Sequence, residues 1–159
     1  MTQKRLANWL RWIMIGMALA GAGICFVFLP LKGQELMNSV PGAKNFLFAW
    51  LLFVWFAVLP CYVALFYTWK IVKEIHEDNS YSVINAEYLA KISYLALGDA
   101  VFVLVLNIVY FTLGMSYAGL FILLLGVVFL GVTIAVVAAL LSRLVLKAAQ
   151  MKQENELTI

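Results

Sequence analysis

From Ile92 to Ser142 the chain runs for 51 residues with one charge, Asp99. In a soluble domain about one residue in four is charged, so a stretch of this length excludes an ordinary soluble fold. A spanning helix needs about 20 consecutive, mainly apolar residues at about 1.5 Å rise each. The stretch is therefore sized for two spans and a short turn near Thr112 to Ala118. Two further uncharged gaps, 20 residues between Arg11 and Lys32 and 25 between Lys44 and Lys70, fit one span each. The expected fold is all-α: an integral membrane bundle of four transmembrane helices, at about 11–31, 45–70, 86–111 and 117–150, in a single membrane domain over 1–159. An external loop at 32–44, a cytoplasmic loop at 71–85 and a cytoplasmic tail at 151–159 complete it. With 65% of 159 residues apolar, there is no room for a separate catalytic domain of about 100 residues.

Orientation follows from lysine and arginine, which cytoplasmic segments retain. With both termini inside, nine of the eleven basic residues are cytoplasmic, and only Lys32 and Lys44 lie outside. The net charge of +3 thus belongs to membrane flanks, and no direct contact with nucleic acid is expected. The first apolar run continues from Ala18-Leu19-Ala20 to Leu31, past the roughly 7 to 15 residues of a signal peptide's core, and is read as a retained helix. Cys25 has Ile24 before it where a lipoprotein cleavage motif needs a small residue. With Cys61 it makes neither a disulfide framework nor a metal pattern.

The external loop is short, with Gly33, Pro41 and Gly42. On the cytoplasmic side, Ile71, Val72 and Ile75 carry the second helix a turn or two beyond the membrane, to a turn at Asp78-Asn79-Ser80. Asn85 is the expected N-cap of the third helix, with Glu87 in its first turn. The fourth helix continues through Leu144, Val145, Lys147, Ala148 and Met151 and is expected to fray at Glu154-Asn155-Glu156.

Little in the sequence suggests chemistry. His76, the one histidine, stands beside Glu74, Glu77 and Asp78 and reads as a solvated surface residue; a metal site would need more nitrogen or sulfur donors. Nucleophile, phosphate-loop and dinucleotide patterns are absent, so no enzyme and no cofactor are expected. The third span holds the polar candidates Asp99, Asn107 and Tyr110. At about 100° per residue Asp99 and Asn107 share one broad face, and an ionisable group in a span should face protein or a wet cleft. The favoured reading is a polar clamp, with Asp99 bonded to Thr68, Tyr67 or Ser142; proton or cation handling, and a ligand or partner contact, stand beside it. Pro60 removes the bond to the Phe56 carbonyl and marks a helix kink. The aromatic residues from Trp50 to Phe56 are expected to pack on small residues of other helices. Small residues recur every four positions at Gly131, Ala135 and Ala139, and at Gly16 and Ala20 and Ala18 and Ala22, as helix-packing faces. By fours the first stripe reaches Arg143 and Lys147, candidates for binding lipid head groups.

Three segments carry a resemblance: Leu59-Pro60-Cys61-Tyr62-Val63-Ala64-Leu65, the run from Tyr81 to Ile92, and the ending Glu154-Asn155-Glu156-Leu157-Thr158-Ile159. From about the second helix onward the chain resembles a family of bacterial four-helix membrane proteins of unknown function, the YoaS-like proteins. Their members often end in Glu-Asn-Asp-Leu-Thr-aliphatic, and Glu156 replaces the usual Asp conservatively. The resemblance implies the family's fold, a multi-pass place in the bacterial plasma membrane, and encoding beside a small helix-turn-helix regulator. It implies no catalytic residue. The expected function is non-catalytic and regulatory or sensory, transmitting a membrane condition to a cytoplasmic partner such as that regulator. Tyr81, Ile84, Leu157 and Ile159 are the docking candidates. The alternative is a small oligomeric transporter or channel subunit using Asp99 and Asn107; a homo-oligomer fits either.

Overall fold

The uncharged stretches fold as helices, the longest of them as two joined by a turn. The computed structural model describes residues 3–31, 47–77 and 80–157, and their regular structure is entirely helical. Helix α1, Gln3–Gly23, passes into a π-helical turn, Ile24–Phe28, and continues through 29–31. Helix α2 is Leu47–His76, α3 is Val83–Thr112 and α4 is Ala118–Leu157. Four of these stretches are long and apolar enough to cross a membrane: Asn8–Leu31, Phe48–His76, Val83–Thr112 and Ala118–Asn155. Four crossings put both chain ends on one side, here called the terminal side.

The membrane limits can be read from the side chains. Trp50 and Lys70 are 20 residues apart on α2, about 30 Å of helix and so one hydrocarbon thickness. Level with Lys70 stand Tyr67, Tyr88 and Lys91, joined to it by ring and cation contacts, and Trp69, whose ring centre lies 5.9 Å from Arg11. Level with Trp50 stands Tyr110, with ring centres 5.0 Å apart. Amphipathic rings thus mark both boundaries. Large apolar side chains point outward along every span, Trp12 at 73% exposure among them; in lipid these are ordinary surface.

The helices pack in chain order, α1 on α2, α2 on α3 and α3 on α4, with at most marginal contact in any other pairing among the described residues. The α3–α4 pairing is the most extensive. Along α4 the positions Gly131, Ala135, Ala138, Ser142, Val145 and Ala149 are buried or half-buried, with Ala139 and Ala148 half-buried beside them; on α3 so are Ala86, Leu89, Ser93, Ala96, Ala100, Val103 and Asn107. Both series alternate steps of four and three, the period of a left-handed coiled coil. The stripe expected at Gly131, Ala135 and Ala139 is buried or half-buried throughout, and the seam continues past it through Ala138 and Ser142. A strict four-residue step drifts about 40° around the helix, and Ala138 and Ser142 hold the seam while Arg143 and Lys147 are exposed. A Cβ on Gly131 would meet the Ala100 Cβ at 3.2 Å, so the two backbones approach as closely as glycine permits.

Lipid gives helices no hydrophobic drive to associate, and polar side chains supply part of the adhesion. Ser93 donates to the Ala135 carbonyl at 2.7 Å, Ser142 to the Ala86 carbonyl at 2.6 Å and Asn107 Nδ2 to the Phe121 carbonyl at 3.1 Å. These are three levels of one interface. Helix α1 is held by fewer ties: Tyr62 donates to the Ala18 carbonyl at 2.9 Å, with Gly21 close beside the same hydroxyl, and Met14 packs on Val72 next to Leu10.

The turn between α3 and α4 explains how two long helices reverse in five residues. Gly114 has φ +70°, its N–H donates to the Phe111 carbonyl, and the Met115 N–H donates to the Tyr110 carbonyl. This is the Schellman arrangement, whose left-handed position favours glycine. Trp50 Nε1 donates to the Met115 carbonyl at 3.0 Å and pins the turn to α2.

Two helix ends differ from expectation. Ser82, extended at φ −126° and ψ 151°, caps α3 by accepting from the Asn85 N–H. Asn85 is thus one turn inside the helix, 1% exposed, and its Nδ2 donates to the Ser80 carbonyl. Serine and asparagine are equally good caps, and here the earlier one wins because Asn85 ties down the connection. Helix α4 does not fray at Glu154 but runs to Leu157, its alanine- and leucine-rich body followed by the good helix formers Gln, Met, Lys and Glu. The external loop 32–44, the Asp78-Asn79 part of the expected turn, and Ile159 lie outside the described residues.

Candidate functional site

The polar residues of α3 face two different helices. Asn107 is fully buried and faces α4 through its bond to Phe121. Tyr110 faces α2, donating to the Ala49 carbonyl at 3.0 Å and packing against Trp50 and Phe53. Asp99 also faces α2. The angular offset of about 80° between Asp99 and Asn107 is enough to part them, because α3 packs between α2 on one side and α4 on the other. A single polar surface holding Asp99 and Asn107 is not formed.

The clamp expected for Asp99 is corrected as well. Thr68 donates to the Ala64 carbonyl of its own helix, Ser142 is engaged with Ala86, and Tyr67 stacks on Tyr88. Asp99 meets Cys61 instead, whose Sγ is 3.9 Å from Oδ2 and 3.7 Å from the Ala57 carbonyl, so one thiol proton serves both. The other carboxyl oxygen, Oδ1, is buried without a hydrogen bond. Thiols are weak donors, so this carboxyl is poorly satisfied.

Asp99 lines a groove of about 390 Å³ between α2 and α3 that also holds Pro60, Phe56 and Gly98. Helix α2 is continuous through Pro60, yet proline cannot donate, so the Phe56 carbonyl lacks its usual helical partner. The groove lies about nine residues below Lys70, or about 13 Å, close to the membrane midplane. Its remaining wall is apolar.

A second apolar cavity, of about 560 Å³, lies between α1 and α2 and is lined by Ala22, Cys25, Phe26, Trp55, Leu59 and Tyr62 among others. It adjoins the π-helical turn, in which the Leu29 N–H reaches back five residues to the Ile24 carbonyl. Nothing in the sequence reading indicated this turn; runs of bulky residues such as Ile-Cys-Phe-Val-Phe carry no distinctive pattern for it. Trp50 and Phe53 pack against Tyr110 and Phe102, aromatic partners rather than the small residues expected.

The remaining candidates fall on the terminal side. Tyr81 and Ile84 are exposed, at 61% and 47%. Arg143 and Lys147 are exposed on α4 among Leu140, Leu141 and Leu144. Leu157 closes α4, with its side chain outside the described residues. His76 ends α2 half-buried, with Nδ1 enclosed and unbonded, so it is not the solvated residue expected. Among the described residues no three His, Cys, Asp or Glu side chains gather as a metal site. Sequence reasoning missed Ser93, a lone hydroxyl in an apolar run, and the pairing of Lys70 and Lys91 across α2 and α3.

Compared with known proteins, the sequence matches over residues 2–159 the family described as protein of unknown function (DUF2975). It is 23% identical over 149 residues to the uncharacterized membrane protein YoaS of Bacillus subtilis (strain 168), covering 92% of each chain. No solved structure matches.

Proposed function

The chain belongs to the DUF2975 family of proteins of unknown function, and from that premise we propose that it is a non-catalytic relay in the bacterial plasma membrane. It would pass a membrane condition to a partner on the terminal side, which we assign to the cytoplasm from the distribution of lysine and arginine. The observation that carries this reading is α4, unbroken over 40 residues from Ala118 to Leu157. About 20 residues suffice to span, so the rest projects from the membrane as a continuation of the span. Past Ala149, residues 150–155 are exposed. A shift of α4 in the membrane is therefore delivered to a solvent-exposed helical end, beside which Tyr81 and Ile84 offer apolar anchors of the sort interfaces need. The resemblance noted above suggests the partner: a small helix-turn-helix regulator, held at the membrane.

The test is deletion of Glu154 to Ile159, read by co-purification from native membranes in mild detergent. The shortened protein should insert and unfold at the temperature of the full chain but lose the partner. Retention of every partner, or outright unfolding, removes this reading. The Asp99 groove favours a second one, a small oligomeric transporter or channel subunit. Against it, Asp99 and Asn107 do not share a path, and a single row of helices encloses none.

A further inference from the structure

Two lysines and two tyrosines close the terminal-side end of the α2–α3 groove. Lys70 Nζ lies 4.7 Å from the Phe66 ring centre, 5.4 Å from that of Tyr88 and 5.9 Å from that of Tyr67. Lys91 Nζ lies 5.5 Å from the Tyr67 ring centre and 5.8 Å from that of Tyr88. The two tyrosine rings are 5.7 Å apart. Two ammonium groups from different helices thus share one pair of rings where the hydrocarbon ends, and among the described residues neither is ion-paired. Long basic side chains at this depth ordinarily extend separately toward water. Here the ring faces hold both, and the result is a doubly positive patch with two phenol hydroxyls beside it.

Below the patch the same two helix faces turn apolar. Descending α2 from Lys70 in steps of four and three gives Phe66, Val63, Leu59 and Phe56; descending α3 from Lys91 likewise gives Leu95, Gly98 and Phe102. All of these except Phe66 line the groove of about 390 Å³, and Phe66 carries Lys70 on its ring. Nothing lies within 4 Å of where a Cβ on Gly98 would sit, so the groove is open there. Asp99 is in its floor, with Oδ2 turned to Cys61 and Oδ1 buried. Cations at the membrane boundary above an apolar slot running toward the midplane match the two parts of one molecule.

We propose that this seam binds an anionic phospholipid, with its phosphate between Lys70 and Lys91 beside the Tyr67 and Tyr88 hydroxyls and one acyl chain in the groove. The charge complementarity selects the head group. The slot beneath it selects a lipid over a soluble phosphate. Arg143 and Lys147 differ: among the described residues they share no ring pair, and neither helix face that lines this groove is theirs. The site is independent of the α4 end and of any partner there.

The purified full chain in mild detergent is titrated with dioleoylphosphatidylglycerol, with dioleoylphosphatidylcholine and with inorganic phosphate, reading retained lipid by native mass spectrometry and Tm by thermal unfolding. Phosphatidylglycerol should bind and raise Tm, phosphatidylcholine should do so more weakly, and phosphate should do neither. The pair Lys70→Gln and Lys91→Gln should weaken phosphatidylglycerol binding about thirtyfold and leave the phosphatidylcholine response unchanged, while Lys70→Arg with Lys91→Arg keeps both. Gly98→Leu, which fills the slot and touches no charge, should also weaken it. Wild-type binding by the glutamine pair or by Gly98→Leu overturns the proposal. So does loss of binding through Arg143→Gln with Lys147→Gln, or a Tm rise with inorganic phosphate equal to that with lipid.

Discussion

Two polar residues eight positions apart on α3 should respond to the same substitution with opposite sign. Asn107 is fully buried and bonds the Phe121 carbonyl, and such bonds in membrane proteins contribute about 0.6 kcal/mol on average and at most about 1.7. Asn107→Leu should therefore lower stability in detergent by about 1 kcal/mol. Asp99 has only a shared thiol proton and carries the insertion cost of a carboxyl near the membrane centre. Asp99→Leu should raise stability, by up to about 2 kcal/mol. Thermal unfolding of both variants decides it, and a destabilised Asp99→Leu would restore the clamp. The sequence tells that both residues lie inside a span, because depth is a matter of counting from Lys91. It does not tell which neighbour each one faces. In a soluble helix the apolar stripe would reveal that; here every face is apolar, so the 80° between the two residues stays uninterpretable until the neighbours are placed. Ser93 is hidden for the same reason.

At the scale of helices, the α3–α4 seam turns on one contact. Gly131 faces the Ala100 Cβ at a distance that leaves no room for a larger side chain, whereas a Cβ on Gly126, five residues earlier on the same helix, would meet nothing within 4 Å. Gly131→Leu should cost about 1–3 kcal/mol through overpacking, and Gly126→Leu should be close to neutral; thermal unfolding in detergent separates them. Equal effects would mean the seam is not close-packed. Gly131 and Ala135 could be picked out from the sequence as a small-residue face, but the step to Ala138 could not. Equal small residues stand at Ala138 and Ala139, and that Ala138 is the more deeply buried of the two depends on a supercoil that only a partner imposes. Helix ends were similarly ambiguous. Ser82 and Asn85 are both good caps, and the winner was decided by Asn85 reaching back to Ser80. The π-helical turn costs one extra residue in the helix ladder and leaves no trace in a hydropathy plot.

For the whole molecule, four spans were legible because charge spacing and membrane thickness leave few alternatives, and orientation rests on nine basic residues against two. With Cys25 and Cys61 replaced by alanine, Gln34→Cys should react with an impermeant maleimide in intact cells and Gln153→Cys only after lysis. Labelling at position 153 in intact cells would reverse the orientation. The open row of helices was not legible, since chain order alone does not say whether α1 closes onto α4. Its unequal joints bear on how the protein is made. A ribosome releases α1 before α2, its substantial neighbour among the described residues, and the joint it later forms with α2 rests on the Tyr62 bond and a few packed side chains. The hairpin of α3 and α4 emerges last but carries its own reversal, its own seam and three internal ties. It has little to wait for. The half of the chain synthesised last is thus the half that carries most of what it needs to assemble by itself.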